Sequence, residues 1–341
     1  ASAGNTLRLS VEPYGGGVWR GWLDRPLSVA GRVMIRQGDR LVSRLVNIDR
    51  DLLVIPGVAI HMDRSVNKGA ELNPAVDLLP LLGCGKEPGA FRKLIAEAAG
   101  VREEHLLSTE LFLYPRTKAV QTGLNGEFIV SPRLDDLQCV FGCLEGFLAA
   151  KPGGSLPVLA VFNNEEVGSS TRQGADSTFL TDVLERIAHG CGLDSEAWKA
   201  AVANSFMVSA DNAHAVHPNH PEYADMTNTP RLNGGVVIKF NANQLYATSG
   251  VSAALYRKLC EKAGAKVQVY ANRSDIPGGS TLGSIASTLV PVEMADIGLP
   301  QLAMHSCCET AGVEDLFDLV NICRTLFESG VEKSGGLIRL V

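Results

Sequence analysis

The stretch Val158–Ser170, VLAVFNNEEVGSS, constrains the chain more than any other. Five apolar residues, Val158–Phe162, stop at the polar pair Asn163-Asn164 and lead into two adjacent carboxylates, Glu165 and Glu166. A short apolar run closed by polar residues and glycine predicts a covered strand of an α/β sheet. Ligands and reacting groups of such sheets collect beyond the carboxyl ends of the strands. Two acids there can divide the work, one ligating a cation while its neighbour moves a proton. A lone Glu-Glu pair is more often a solvated acidic turn, so its meaning depends on what else the chain brings to it.

With 341 residues, 45% hydrophobic and 20% charged, the chain has an ordinary globular composition and length enough for about two domains. A net charge of −6 gives no sign of a nucleic-acid partner or an anionic membrane. No apolar run reaches the roughly 18 residues that a membrane helix needs. The N-terminus, ASAGNTLRLS, lacks a basic-then-apolar signal pattern. Eight cysteines form no CxxC pair, and several sit in apolar helical context, as in QCVFGCLEGFL. That usage indicates buried free thiols in a reducing cytoplasm. The vicinal pair Cys307-Cys308 reads as buried thiols near the cleft rather than as ligands.

Residues 1–127 are β-rich in texture. Leu7–Pro13, Leu27–Arg36, Leu41–Asn47, Leu53–Met62 and Leu111–Tyr114 read as strands, with Gly-rich turns between them and one helix over Glu87–Ala99. Tyr14-Gly15-Gly16-Gly17 lacks the spacing and lysine of a phosphate loop and reads as a turn. Residues 128–341 alternate strand and helix. The strands are expected at Val158–Phe162, Ser205–Ser209, Gly235–Phe240, Lys266–Tyr270 and Val290–Met294. The helices are expected at Leu137–Ala150, Ala175–His189, Gly250–Ala263, Ser280–Ser287 and Val313–Ser329. This is an α/β domain with a parallel or mixed central sheet.

Four places in that second half set metal-ligand residue types at the ends of elements. They are Asp135 and Asp136 in SPRLDDL, Glu165-Glu166, Asp211 and His214 in SADNAH, and His305 in MHS. Acids and an imidazole from separate elements can converge in space, and that donor set suits zinc, and also manganese or cobalt. A carboxylate between two such ions can bridge them. Taken singly, each residue is as readily a cap or a surface acid, and Asp135 would make a good N-cap. His214, His217 and His220 are three apart, but Pro218 excludes a helix there. Gly278 and Gly279, in PGGSTLG, free the backbone N–H groups ahead of a helix, which can hold a carboxylate. Lys239 inside the apolar strand VVIKF lies on an edge or points into a cavity to meet an anion. His61, in AIHMDR, reads on its own as a satisfied structural histidine.

SPRLDDL, NNEEVGSS, SADNAHAVHPNH, DIPGGSTLG and MHS, in this order, resemble the M18 metalloaminopeptidases, the aspartyl-aminopeptidase-like enzymes with co-catalytic zinc. YGGGVWRGWLDRPLSVAGRV and IPGVAIHMDR extend the resemblance over essentially the whole chain. It implies a zinc-peptidase-type α/β catalytic domain with a mixed central sheet, residues 128–341, and an inserted β-rich dimerisation domain, residues 1–127. It implies dimers that build a tetrahedral dodecamer. Position by position, Asp135 matches the bridging carboxylate and Glu165 the general base. Glu166 and His305 match the ligands of one zinc, and Asp211 a ligand of the second. His214 faces the substrate, His61 matches a histidine that the inserted domain offers to an active site, and Lys239 falls where a cation could receive an acidic side chain. The family also has a ligand histidine ahead of the YGGG stretch, whereas this sequence has none before His61. The resemblance implies an aminopeptidase that removes acidic N-terminal residues from peptides. A neutral-preference aminopeptidase or deacylase of the same clan, and an inactive assembly or cargo homologue, are the alternatives.

Overall fold

The computed structural model describes every residue except Ala1, Lys86, Pro152, Gly335 and Gly336, and every side chain among them but those of Ser2 and Ala3. The chain divides into two compact units, Ala1–Lys118 and Ala119–Val341. The division precedes the change of texture at 127 because Val120–Thr122 pairs with Phe128–Ser131 inside the second unit.

The first unit is built on the long strand Pro26–Gln37, which pairs antiparallel with Arg40–Asn47 and with Leu106–Pro115. Leu27, Val29, Val33 and Ile35 are buried at alternate positions, the period-two pattern of a strand covered on one face. The helix Ala90–Ala98 lays Ile95 and Ala96 onto that face. At Gly31 a Cβ would lie 2.1 Å from the Glu110 carbonyl oxygen, so this crossing requires glycine. The apolar run Leu53–Met62 yields a strand only at Leu53–Val54. Pro56 has no N–H for a ladder, and the Gly57 N–H turns aside to donate to Asp24 Oδ1 at 2.7 Å.

The second unit carries a four-stranded sheet in the order Phe206–Ala210, Glu293–Gly298, Val236–Phe240, Val267–Ala271. Its outer pairs are parallel and its central pair antiparallel, so the sheet is mixed. A second sheet follows the order Ala213–His214, Pro300–Leu302, Glu309–Gly312, Phe128–Ser131, Val120–Thr122. Two stretches of chain thread both sheets, one through Asp211-Asn212 and the other through Leu299. They stay paired across the junction, where the Asp211 N–H donates to Ile297 at 3.1 Å and the Ala213 N–H to Leu299 at 2.8 Å. At Gly298 a Cβ would lie 2.0 Å from the Asp211 carbonyl oxygen, so the junction closes only over a bare backbone. The helices Leu134–Ala149, Gly250–Ala263 and Val313–Phe327 supply Cys139, Tyr256, Leu259, Leu319 and Ile322 to a core shared with Val236, Ile238, Ala295 and Ile297.

Another strand expectation changes. Val158–Phe162 forms no ladder among the described residues. It lines a cavity of about 730 Å³ whose other walls include Leu180, Trp198, Met294 and the strand Phe206–Ala210, which lies at the edge of its sheet. The helix Ser195–Ala203, capped by Asp194 through the Ala197 N–H at 2.8 Å, was not foreseen. Among the described residues no helix is long and apolar enough to cross a membrane.

Candidate metal centre

Asp135 and Asp136 precede the regular part of the helix Leu134–Ala149. Their backbones are non-helical, and Arg133 before them is left-handed at φ 57°. The hook turns both carboxylates away from the helix axis toward the sheet junction. Glu165 and Glu166 occupy a single 3₁₀ turn, Glu165–Val167, entered through Asn164 at φ 60°. Asn164 is tied to Thr171, whose hydroxyl donates to its side-chain oxygen at 3.1 Å, and to Ser169, whose N–H donates to its carbonyl at 2.9 Å. His305, at φ 64°, follows the strand Pro300–Leu302.

These elements bring Asp135, Glu166 and His305 together. His305 Nε2 lies 3.3 Å from Asp135 Oδ2 and 3.1 Å from Glu166 Oε2. A second group, Asp135, Asp136 and Asp211, shares Asp135 with the first, and within each group the ligand atoms lie within 4.8 Å of one another. Asp135 Oδ1 is buried with no hydrogen-bond partner. A carboxylate oxygen left in that state is costly unless a cation receives it. Oxygen donors with one imidazole fit zinc.

The charges crowd. Burial first, and then Asp211, Glu166 and Asp135, raise the Glu165 carboxyl to about 7. Burial likewise raises Glu166 to about 7, opposed by His305 and reinforced by Asp135. Asp136 is pushed well above the carboxylate range by burial and by Asp211. Its Oδ1 accepts the Asn212 N–H at 3.1 Å, and the Asn212 amide is held in turn by the Leu134 carbonyl at 3.0 Å and Gln301 Oε1 at 3.1 Å. Three or more carboxyls raised together form a pocket of negative potential that a divalent cation would relieve.

Lys239 is 3% exposed, and its Nζ lies 3.3 Å from Asp211 Oδ2 and 5.5 Å from the centroid of the Tyr246 ring. Burial alone would lower its pKa, but Asp211 and Asp296 more than offset that and raise it. The structure therefore places its ammonium against a candidate metal ligand. His214 stands beside Tyr270, with ring centroids 6.0 Å apart. Its pKa is lowered by desolvation and by Lys239, which keeps the imidazole neutral. Gly278 and Gly279 lie in an exposed loop ahead of the helix Leu282–Leu289. Thr281, at the cap position of that helix, donates its hydroxyl to the buried Asp296 at 2.9 Å. His61 is an exposed turn residue of the first unit. Cys307 is buried and Cys308 half-buried, and neither is in a disulfide. Sequence reasoning met Asp136 only as half of the Asp-Asp doublet, with no role of its own, and missed Glu309 altogether. The Asp-Asp doublet was a signal for the first; a lone Glu in CCETAG was none for the second.

Carboxylates gathered around one imidazole, beside the junction of two sheets of an α/β unit, form a candidate metal centre. The chain matches the family described as Aminopeptidase I zinc metalloprotease (M18) over residues 2–327. It is 45% identical over 320 residues to a probable M18 family aminopeptidase 2 of Clostridium acetobutylicum, covering 92% of this chain and 74% of the relative. The solved structure described as the Ape4 and Nbr1 complex superposes with a TM-score of 0.91 at 36% identity, over 96% of this chain and 67% of that one. The mApe1 dodecamer of S. cerevesiae superposes with a TM-score of 0.81 at 26% identity, over 96% of this chain and 74% of that one. The chain belongs to the M18 family of aminopeptidases, which are zinc metallopeptidases.

Proposed function

We infer that the protein removes N-terminal residues from peptides, acidic residues in preference, at a centre holding two zinc ions per subunit. The observation that carries this reading is the convergence of Asp135, Glu166 and His305 beside Glu165, with Asp135 shared by the group that contains Asp211. Asp135 would bridge, Glu166 and His305 would hold one ion, and Asp211 would hold the other. Bound zinc supplies Lewis acidity toward the scissile carbonyl and makes a bound water easier to deprotonate. Glu165 takes the proton of the attacking water and returns it to the leaving amine. A carboxyl raised to about 7 is suited to both halves of that transfer near neutral pH. His214, neutral and beside Tyr270, faces the substrate, and the backbone N–H groups around Gly278 and Gly279 receive an anionic group. His61 reaches an active site in the assembly.

The acidic preference rests on Lys239, whose charge is held by its raised pKa. One observation favours a neutral preference instead: Lys239 is buried and already paired with Asp211. Kinetics on peptides beginning with Asp, Glu, Ala and Leu separate the two. A higher kcat/KM on Asp and Glu that Lys239→Met abolishes supports the acidic reading. Glu165→Gln tests the mechanism. Turnover should fall about 10²–10⁴-fold with metal content unchanged. Full turnover would remove Glu165 as the base, and a wild-type chain without any turnover would favour the inactive homologue.

Assembly into dimers and a dodecamer is supported by the dodecameric neighbour and by exposed Leu41, Leu45 and Phe112 in the first unit. Mass photometry of the purified chain tests it. Eight cysteines, none of them in a disulfide, support a cytoplasmic setting.

A further inference from the structure

Glu309 opens the strand Glu309–Gly312 and is 2% exposed. It is a member of neither candidate ligand group. Yet each of its oxygens accepts a backbone N–H from a residue that supplies a ligand: Oε2 from Asp135 at 2.9 Å and Oε1 from His305 at 2.8 Å. Asp135 and His305 lie far apart in sequence and on different elements, and Glu309 is the side chain that joins their backbones. It is itself fixed, because it pairs with Ser131 in the ladder immediately before the Asp135 hook. Both turns that it holds are left-handed at a residue other than glycine, Arg133 at φ 57° and His305 at φ 64°. Such backbones persist when the surroundings impose them. Two facing acceptors are what an ionised carboxylate offers; an amide would turn its NH₂ toward one of the two N–H groups.

We propose that Glu309 is a positioning residue, setting the separation of the Asp135 carboxylate and the His305 imidazole and hence the affinity of that group for a divalent cation. The proposal rests on the metal-centre reading above. The test uses the full chain stripped with a chelator and then titrated with zinc against a chromophoric competitor, and with cobalt followed by its visible absorption. Asp315 provides a matched control: it is buried and accepts the N–H groups of Asn233 and Gly235, each at 2.7 Å, but belongs to neither ligand group. Glu309→Gln should weaken zinc binding about 10–100-fold and alter the cobalt spectrum, the usual consequence of losing a partner that orients a ligand. Asp315→Asn should lower the unfolding midpoint and leave zinc affinity unchanged. Glu309→Asp keeps the charge with a shorter reach and should fall between wild type and Glu309→Gln; it carries the test should the Gln variant fail to fold. Zinc affinity unchanged in both Glu309 variants, or lost equally in Asp315→Asn, overturns the proposal. If His305→Ala weakens zinc binding and the Glu309 variants do not, the positioning role fails alone. If His305→Ala also binds as wild type, the metal-centre reading fails and takes this proposal with it.

Discussion

Replacing Lys239 by methionine keeps the volume and removes one charge from a buried pair. At the 3.3 Å separation of Lys239 Nζ and Asp211 Oδ2, the attraction is about 5 kcal/mol for an effective dielectric of about 20. The desolvation of both groups already offsets part of that, so the pair itself contributes little net stability. Breaking it is different. Asp211 and the fully buried Asp296 would be left without their shared cation, and a stranded buried charge costs about 3–5 kcal/mol. That is a large share of the about 5–15 kcal/mol by which a domain is stable. The assay is urea denaturation of the chelator-treated protein at several pH values. Burial raises the Asp211 pKa, so protonation discharges the stranded carboxylate as pH falls. The deficit of Lys239→Met should therefore be greatest at alkaline pH and shrink toward acid, and Lys239→Met combined with Asp211→Asn should recover most of it. A deficit below about 1 kcal/mol at pH 7.5, or one that grows as pH falls, would refute the reasoning.

Asp135→Asn removes the carboxylate common to both ligand groups and should lower zinc content more than Asp211→Asn does, as measured by elemental analysis of the purified variants. Glu165 acts when ionised, so kcat/KM should rise with pH to a plateau, with a midpoint at or below about 7, because burial raises this carboxyl and a nearby cation would lower it. A rate that declines across that window counts against the assignment. Leu319→Ala opens a cavity in the core and should cost about 2–5 kcal/mol of stability, read by denaturant unfolding, while leaving kcat unaltered, since Leu319 is fully buried and its helix carries no member of either ligand group.

Much of the second unit was legible because its elements carry local signals. Ser249 caps the helix Gly250–Ala263 through the N–H groups of Val251 and Ser252, both at 3.1 Å, and Gly264 ends it in the left-handed region, so its span was readable from sequence. Val158–Phe162 was not readable in the same way. Its composition is that of a covered strand, but composition says nothing of a partner, and it borders a cavity instead of a ladder. The site divides along the same line. Asp135 and Glu166 each follow a recognisable turn signal, Ser131-Pro132 and Asn163-Asn164, whereas His305 is marked only by the short MHS motif. Asp136 had the doublet but not the direction of its side chain, which depends on the non-helical hook. Glu309 is defined by two backbone N–H groups that a linear sequence does not bring near it.

Gly298 has no side chain to contribute to chemistry, yet any Cβ at that position would meet the Asp211 carbonyl at 2.0 Å and drive the ligand turn off the sheet junction. In a library of single substitutions selected for activity, it should tolerate as few replacements as the acids themselves. A ranking of positions by intolerance would then place a bare backbone beside the carboxylates. The geometric demand of the junction, and not reactivity, would be what that position reports.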